Sequence, residues 1–315
     1  MYKYVIKRIL MIFPILLALS FIIFGIVRLS PGTPAAAILP SEASQEEIAA
    51  LNAQLGYDLP FLQQYWFYMK KLIINMDMGR SWYTNVPVGQ EIITRLPITI
   101  KLAFFGILGA AILGIPIGVL SAVKQYKFVD VVSVFISMFL ASVPVFWLGM
   151  IIMLILSLRL GLLPSSGIGS WKYLVMPILS LALPYAAQEM RYTRSSMLES
   201  IRQDFVRTAR AKGAPEKVVI WKHALGNALL PVITITGINF GSLIGGAVVI
   251  EALFNIPGLG LYLVKGVTLK DIPVVMGTTL TLSSIYCLTM LVIDLLYAFA
   301  DPRIKAQYIR GSNRG

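Results

Sequence analysis

The chain has 315 residues, 57% of them apolar and only 13% charged, with a net charge of +12. That balance belongs to a polytopic membrane protein, and the positive-inside rule accounts for the excess of Lys and Arg without any nucleic-acid partner. Single copies of cysteine (Cys287) and histidine (His223) exclude an intrachain disulfide, a histidine-rich metal site and most histidine-based catalysis, and no Gly-x-x-x-x-Gly-Lys-[Ser/Thr] run is present to hold ATP.

Lys3, Lys7 and Arg8 precede an apolar run over 9–27, long enough to cross a bilayer as a helix. A cleaved signal peptide, with Ala35-Ala36-Ala37 at its cleavage site, is the alternative, but its apolar region runs only to about 15 residues. From 28 to 96 the chain turns polar. Ser44-Gln45-Glu46-Glu47 reads as a capping box, and Ile48, Leu51 and Leu55 give a helical stripe that stops at Gly56. A second helix, rich in aromatics, follows Pro60 over 61–74. Residues 30–96 are therefore expected to form a small helical subdomain between spans 1 and 2, after an N-terminus and first span over 1–29.

The remainder, 97–315, reads as a transmembrane core. Its second span is expected over 98–123, with Gly106, Gly109, Gly114 and Gly118 allowing close helix approach. The third is expected over 131–158, kinked at Pro144, and the fourth over 173–190, containing Pro177 and Pro184. The fifth begins at Asn227 and the sixth covers 273–299, ahead of a basic tail with Arg303, Lys305, Arg310 and Arg314. Six spans with both termini inside place most of the 27 basic residues in the inside segments. The fold class is all-α and polytopic.

The loop over 191–228 breaks the apolar pattern. Asp204 suits a helix N-terminus, Arg210 and Lys212 suit the last turn, Gly213 suits a left-handed C′ position, and Pro215 marks the stop. Phe205, Val206 and Ala209 form a small apolar face, with Arg207 and Arg210 beside it. The bland reading is a basic helix resting on anionic lipid. Glu199, Asp204 and Glu216 interrupt the charge, and Ala and Gly stand where a lipid-binding helix carries bulky anchors.

Asp204, Ala209 and Gly213, followed by Leu230-Pro231, resemble the EAA loop of ABC-importer permeases. Arg-Thr-Ala-Arg-Ala-Lys-Gly (207–213) and His-Ala-Leu-Gly-Asn-Ala-Leu-Leu-Pro (223–231) most resemble the dipeptide/oligopeptide branch, which shares the long gap between Gly213 and Leu230. Arg-Leu-Ser-Pro-Gly-Thr-Pro (28–34), Leu-Gly-Tyr-Asp-Leu-Pro (55–60), Asp-Met-Gly-Arg-Ser (77–81) and Arg-Leu-Pro-Ile-Thr (95–99) are similar to the first permease of peptide-type importers. Thr33 stands where that family usually has Asp, so no role is given to an acid there.

The resemblance implies a coupling helix formed by Asp204, Phe205, Val206, Arg207, Ala209, Arg210, Lys212 and Gly213, docked in a cleft of an ATP-hydrolysing subunit. It implies a second homologous permease as heterodimer partner, two ABC ATPase subunits and an extracytoplasmic substrate-binding protein. It implies a bacterial or archaeal plasma membrane as the setting and alternating access as the mechanism. By the same resemblance the chain is expected to be a non-catalytic subunit without a cofactor, ATP and Mg belonging to the partner subunits. Di- or oligopeptides are the expected cargo, with nickel, glutathione or oligosaccharide as alternatives. A stand-alone secondary transporter would instead show inverted repeats or broken helices with charges near the midplane.

Candidate pathway or gate residues are few. Asn239 either bonds across helices or lines the path. Glu251, Phe254, Pro257 and Gly258 form either a capped turn or an outer loop near the external gate. Glu189 and Arg191 read as a solvated helix end. Asp294 lies in the sixth span, where a charge is functional by default, but close enough to the inner surface for a basic partner or water to satisfy it instead. No metal-ligand set is present.

Overall fold

The computed structural model describes residues 2–300; the basic tail beyond Asp301 lies outside the described residues. Among the described residues thirteen α-helices follow in order: α1 (Tyr2–Leu29), α2 (Pro34–Ile38), α3 (Gln45–Gln54), α4 (Phe61–Asn75), α5 (Val88–Val123), α6 (Phe128–Ser142), α7 (Val145–Met153), α8 (Lys172–Ile201), α9 (Asp204–Ala211), α10 (Glu216–Val218), α11 (Leu225–Leu253), α12 (Leu259–Thr268) and α13 (Ile272–Ala300). Wider π-type turns extend α7 over Leu154–Arg159 and join α10 to α11 over Val219–Ala224. The only β-type pairing among the described residues is an isolated antiparallel bridge between Arg80 and Pro87. The chain is an all-α polytopic membrane fold.

Among the described residues, four helices are long and apolar enough to cross a membrane: α1, α5, α11 with its preceding turns, and α13. The third expected span is not one kinked helix. α6 and the α7 segment meet at 103°. The cause is local: proline disfavours helical backbone in the residue before it, and Val143 is extended (φ −85°, ψ 129°), so α6 ends there and α7 restarts after Pro144. The fourth expected span, α8, is about 45 Å long at 30 residues but less apolar than the others. It runs against α5, α6, α7 and α11, so its polar positions face protein and its sequence need not match lipid. α5 starts ten residues before the expected second span, directly after Pro87.

Close contact between α5 and α8 depends on Gly114 and Gly118. A Cβ on Gly114 would lie 2.6 Å from the Ala186 carbonyl oxygen, and one on Gly118 2.6 Å from that of Met190. Around this pair the core gathers Leu102, Met176, Leu181, Leu243, Ile244 and Ile250, all fully buried or nearly so.

Residues 30–87 fold against the ends of α1 and α13. Ser44 and Glu47 form the expected capping box of α3. Phe24 of α1 packs edge-on against Phe61 and Tyr65 of α4, in a cluster with Tyr57, Met69, Ile272 and Met276. The Arg28 guanidinium lies 3.7 Å over the Tyr57 ring and donates to the Tyr57 carbonyl at 2.8 Å. Asp271, just ahead of α13, accepts from the Ser81 hydroxyl at 2.6 Å and the Tyr83 N–H at 3.3 Å. Burial pushes the Asp271 carboxyl up, while the Ser81 bond works against that rise. Lys270 donates its ammonium to the carbonyls of Ser30, Pro31 and Gly32. The segment is thus tied to the bundle by aromatic packing and by two neighbouring charged residues.

Candidate functional site

α9 is a short helix closed by a Schellman motif. The Ala214 N–H reaches the Ala209 carbonyl at 3.2 Å and the Gly213 N–H reaches that of Arg210 at 2.9 Å, with Gly213 at φ 77°. Glycine occupies that left-handed region without steric cost. At the other end the cap position falls on Gln203, and Asp204 is the first helical residue. Its exposed carboxylate sits 3.7 Å from Arg207 and still favours the positive end of the helix dipole. Arg210 grips Glu216 across the turn with two bonds, 2.7 and 3.1 Å, which fixes α9 relative to α10.

The faces of α9 differ from the simplest sequence reading. Val206 is fully buried and belongs to a cluster with Val119 of α5, Met197 of α8, and Val219, Ile220 and Ala224. Ala209 packs half-buried against the same cluster. Phe205 points elsewhere and remains 40% exposed, with Arg207, Thr208, Arg210, Ala211, Lys212 and Gly213 also exposed. Val206 and Ala209 therefore fasten α9 to the chain's own bundle, while Phe205 and the basic residues face outward. The Ser200 hydroxyl completes the joint by donating to the Ala224 carbonyl at 2.8 Å. The ends of α5, α8 and α11 converge on this cluster.

The same end carries two ion pairs that join helices distant in sequence. Asp130 of α6 accepts two bonds from Arg194 of α8 (2.6 and 2.9 Å), one from Ser121 of α5 (2.5 Å) and one from the Tyr126 N–H (2.9 Å). Arg8 of α1 lies 2.7 Å from Asp294 of α13, which supplies a basic partner for that acid of the sixth span.

Glu251 lies at the opposite end of α11 and is fully buried. Its Oε1 accepts from the Thr99 hydroxyl at 2.6 Å, and its Oε2 from the N–H groups of Gly260 (2.6 Å) and Leu261 (3.3 Å). The carboxylate thus caps α12 from a neighbouring helix and binds α5, α11 and α12 together. The left-handed residue that ends α11 is Asn255 at φ 48°, with the Ile256 N–H returning to the Glu251 carbonyl at 2.8 Å. Gly258 and Gly260 serve a different need. A Cβ on Gly258 would lie 2.3 Å from the Glu251 carboxyl carbon, and one on Gly260 2.3 Å from the Val248 Cα. Phe254 is buried too, and its carbonyl accepts from the Gly167 N–H at 2.9 Å. In this conformation the geometry is that of a capped turn.

Glu189 is not a solvated helix end. It is fully buried between α8 and α11, with one carboxyl oxygen accepting from Thr236 at 2.8 Å. The Asn239 amide faces the same carboxyl group, and the Thr193 hydroxyl has no hydrogen-bond partner among the described residues. Arg191 donates to the Ser137 carbonyl of α6 at 3.0 Å. Asn239 and Glu189 thus belong to one buried polar patch in the bundle. Its sequence signal was the pair Gly114 and Gly118, which bring α5 against that stretch of α8.

Residues 114–306 match the family model described as binding-protein-dependent transport system inner membrane component, and residues 1–103 match the N-terminal model of the same systems. The chain belongs to this family. The permease is 38% identical over 97% of its length to the dipeptide transport system permease protein DppB of Alkalihalophilus pseudofirmus, covering 100% of that protein. It is 40% identical over 97% of its length to the glutathione transport system permease protein GsiC of Salmonella choleraesuis, covering 99% of that protein. Among solved structures, the permease resembles a chain of the MetNI methionine ABC transporter in an inward-facing conformation, with a TM-score of 0.55, 18% identity and coverage of 67% of this chain and 96% of that one. It also resembles a chain of an amino acid ABC transporter, with a TM-score of 0.52, 15% identity and coverage of 68% and 94%. Those two likenesses establish a shared fold. As a member of this family the permease has a transport role in a binding-protein-dependent system of the inner membrane.

Proposed function

We propose that this permease carries short peptides across the plasma membrane as one half of a heterodimer, driven by two ABC ATPases docked on the outward face of α9. The observation that carries the coupling part is the division of labour within α9. Val206 and Ala209 lock it to the ends of α5, α8 and α11, and Phe205, Arg207 and Lys212 are left on the surface. The dipeptide and glutathione relatives support a di- or tripeptide as cargo, since both ligands are short chains of amino acids. ATP and Mg bind to the partner subunits. When the ATPases close, α9 moves with them, the three attached helices follow as one unit, and the pathway reopens on the other side of the membrane.

With α9 and Arg8 in the cytoplasm, residues 30–87 stand outside, where the substrate-binding protein delivers its cargo. Asn239, beside the buried Glu189 carboxyl, is the polar group nearest to a role in the pathway, and the Phe254–Gly258 loop forms the outer gate that Glu251 holds shut. Reconstitution with the partner subunits tests the proposal: labelled dipeptide or glutathione should enter proteoliposomes only with ATP and binding protein present. Uptake without ATPases would replace this reading with that of a stand-alone transporter. Thiol labelling of Glu46→Cys in a Cys287→Ser background tests the orientation, and labelling only after lysis would invert it.

A further inference from the structure

The two sides of α4 are both apolar, but only one is covered. On the covered side Phe61 and Tyr65 stack edge-on against Phe21 and Phe24 of α1, with the Phe21–Tyr65 centroids 5.3 Å apart. The Tyr65 hydroxyl shares a 2.8 Å hydrogen bond with that of Ser20. Met69 and Leu72 join the same cluster as Ile272, Val275 and Met276, in the first turns of α13. α4 thus reaches across the neighbouring ends of two spans. On the other side Leu62 is 67% exposed and Trp66 64%, and Ile73 is exposed too. Their spacings of four and seven residues put them in one stripe about 40° wide. Lys70 borders the stripe, while Lys71 and Asn75 lie on the far side of the helix, about 140° and 180° from Trp66.

The depth of α4 selects what covers the stripe. The apolar span of α1 runs over Arg8–Leu29. Phe24 and Phe21 lie before its Leu29 end by about 7 and 12 Å of helix at 1.5 Å per residue. A helix stacked on those two rings stands beside the span, not above it. At the same level α1 exposes Phe21, Ile22 and Ile26, the side chains with which a spanning helix meets lipid. Leu62 and Trp66 directly follow Phe61 and Tyr65, so the stripe continues that lipid-facing surface. A helix lying in the interface buries its apolar face about 5–10 Å into the acyl boundary and carries Lys on its polar side. α4 has this depth and this composition. Lys70 can rest its methylenes on the apolar side and hold its ammonium at the lipid phosphates.

We infer that α4 lies in the membrane interface, with Leu62, Trp66 and Ile73 among lipid acyl chains and Lys70 at the lipid phosphates. That contact fixes the height of residues 30–87 relative to the bilayer. The lipid belongs to the leaflet at the Leu29 end of α1. Naming it the outer leaflet rests on the orientation proposed above, whereas the contact itself rests only on α1 crossing the bilayer.

The test is the collision rate of a nitroxide label with oxygen, which concentrates in lipid, and with a water-soluble nickel chelate, which lipid excludes. Labels are attached singly to Leu62→Cys, Trp66→Cys, Ile73→Cys, Lys71→Cys and Asn75→Cys in a Cys287→Ser background. The permease is purified with its copurifying subunits into nanodiscs of phosphatidylethanolamine and phosphatidylglycerol. The oxygen-to-nickel ratio at the three stripe positions should exceed that at Lys71 and Asn75 about tenfold, since an interfacial helix buries only its apolar face. Adding binding protein should leave the difference in place. All five side chains are exposed, and if one labelled variant fails to fold, the other stripe positions read the same surface. Nickel collisions as frequent on the stripe as at Lys71 would place it in water and overturn the inference. Low rates with both reagents, with or without binding protein, would mean that a protein chain covers the stripe and would overturn it equally. Neither ATP nor uptake enters the measurement, so failure here leaves the importer reading intact, and failure of the importer reading leaves the lipid contact intact.

Discussion

Replacing Glu251 by alanine removes one side chain but strands three donors. The Thr99 hydroxyl and the N–H groups of Gly260 and Leu261 all point at its carboxylate, at 2.6, 2.6 and 3.3 Å. Net hydrogen bonds to a charged group contribute about 1.5–3 kcal/mol, and a stranded buried donor costs about 1–3 kcal/mol, so the loss should be roughly 3–6 kcal/mol. That is a large share of a stability of about 5–15 kcal/mol. Gly258→Ala attacks the same joint from the other side, because its Cβ would lie 2.3 Å from the carboxyl carbon and push the carboxylate off its donors. Once Glu251 is alanine, however, the three atoms nearest to the new methyl are gone. The two losses should therefore not add. The assay is the folded fraction after stepwise heating of detergent-purified protein, read by fluorescence-detected size exclusion, for both single variants and the double. A Gly258→Ala protein as stable as the native one, or strictly additive losses, would refute the capping role given to Glu251.

Other consequences follow from single contacts. Gly114→Val would drive two methyls into the Ala186 carbonyl and Glu189, and overpacking of this kind costs about 1–3 kcal/mol, visible as a lower melting temperature. Arg194→Met leaves Asp130 buried and unpaired at a cost of about 3–5 kcal/mol, and adding Asp130→Asn should recover part of the lost expression and thermal stability. Lys270→Met releases the carbonyls of Ser30, Pro31 and Gly32, so limited proteolysis should cut faster between α1 and α2 while the bundle stays intact.

Local punctuation was readable in the sequence. Gly213 and Pro215 marked the end of α9, and Ser44 with Glu47 marked the start of α3, because capping is settled within four residues of chain. Long-range pairing was not readable. Arg8 finds Asp294 across nearly the whole chain, and Arg194 finds Asp130 across 64 positions. Nothing in either neighbourhood specifies the partner. Pro144 announced a disturbance, but the sequence holds no measure of its size, and a 103° turn was read as a kink. Glu189 looked solvated because it stands near the arginines that leave the fourth span. The packing of α5 and α11 around α8 buries it instead, and hydropathy along one helix carries no information about its neighbours. The same limit applies to Val206, whose inward direction follows from the placement of Val119, Met197 and Val219.

The central claim is that the outward face of α9 is where the ATPase subunits dock. Phe205→Glu tests it most directly, since Phe205 is 40% exposed on that face and Val206 continues to hold the helix in place. The measurement is the amount of ATPase recovered per permease on affinity purification from detergent-solubilised membranes, alongside a monodisperse size-exclusion profile for the variant. A carboxylate placed in a desolvated contact costs several kcal/mol, so ATPase recovery should fall to near background, and ATP-driven peptide uptake should vanish with it. Full recovery of the ATPases with Phe205→Glu, in a protein that still transports, would show that α9 is not the docking element.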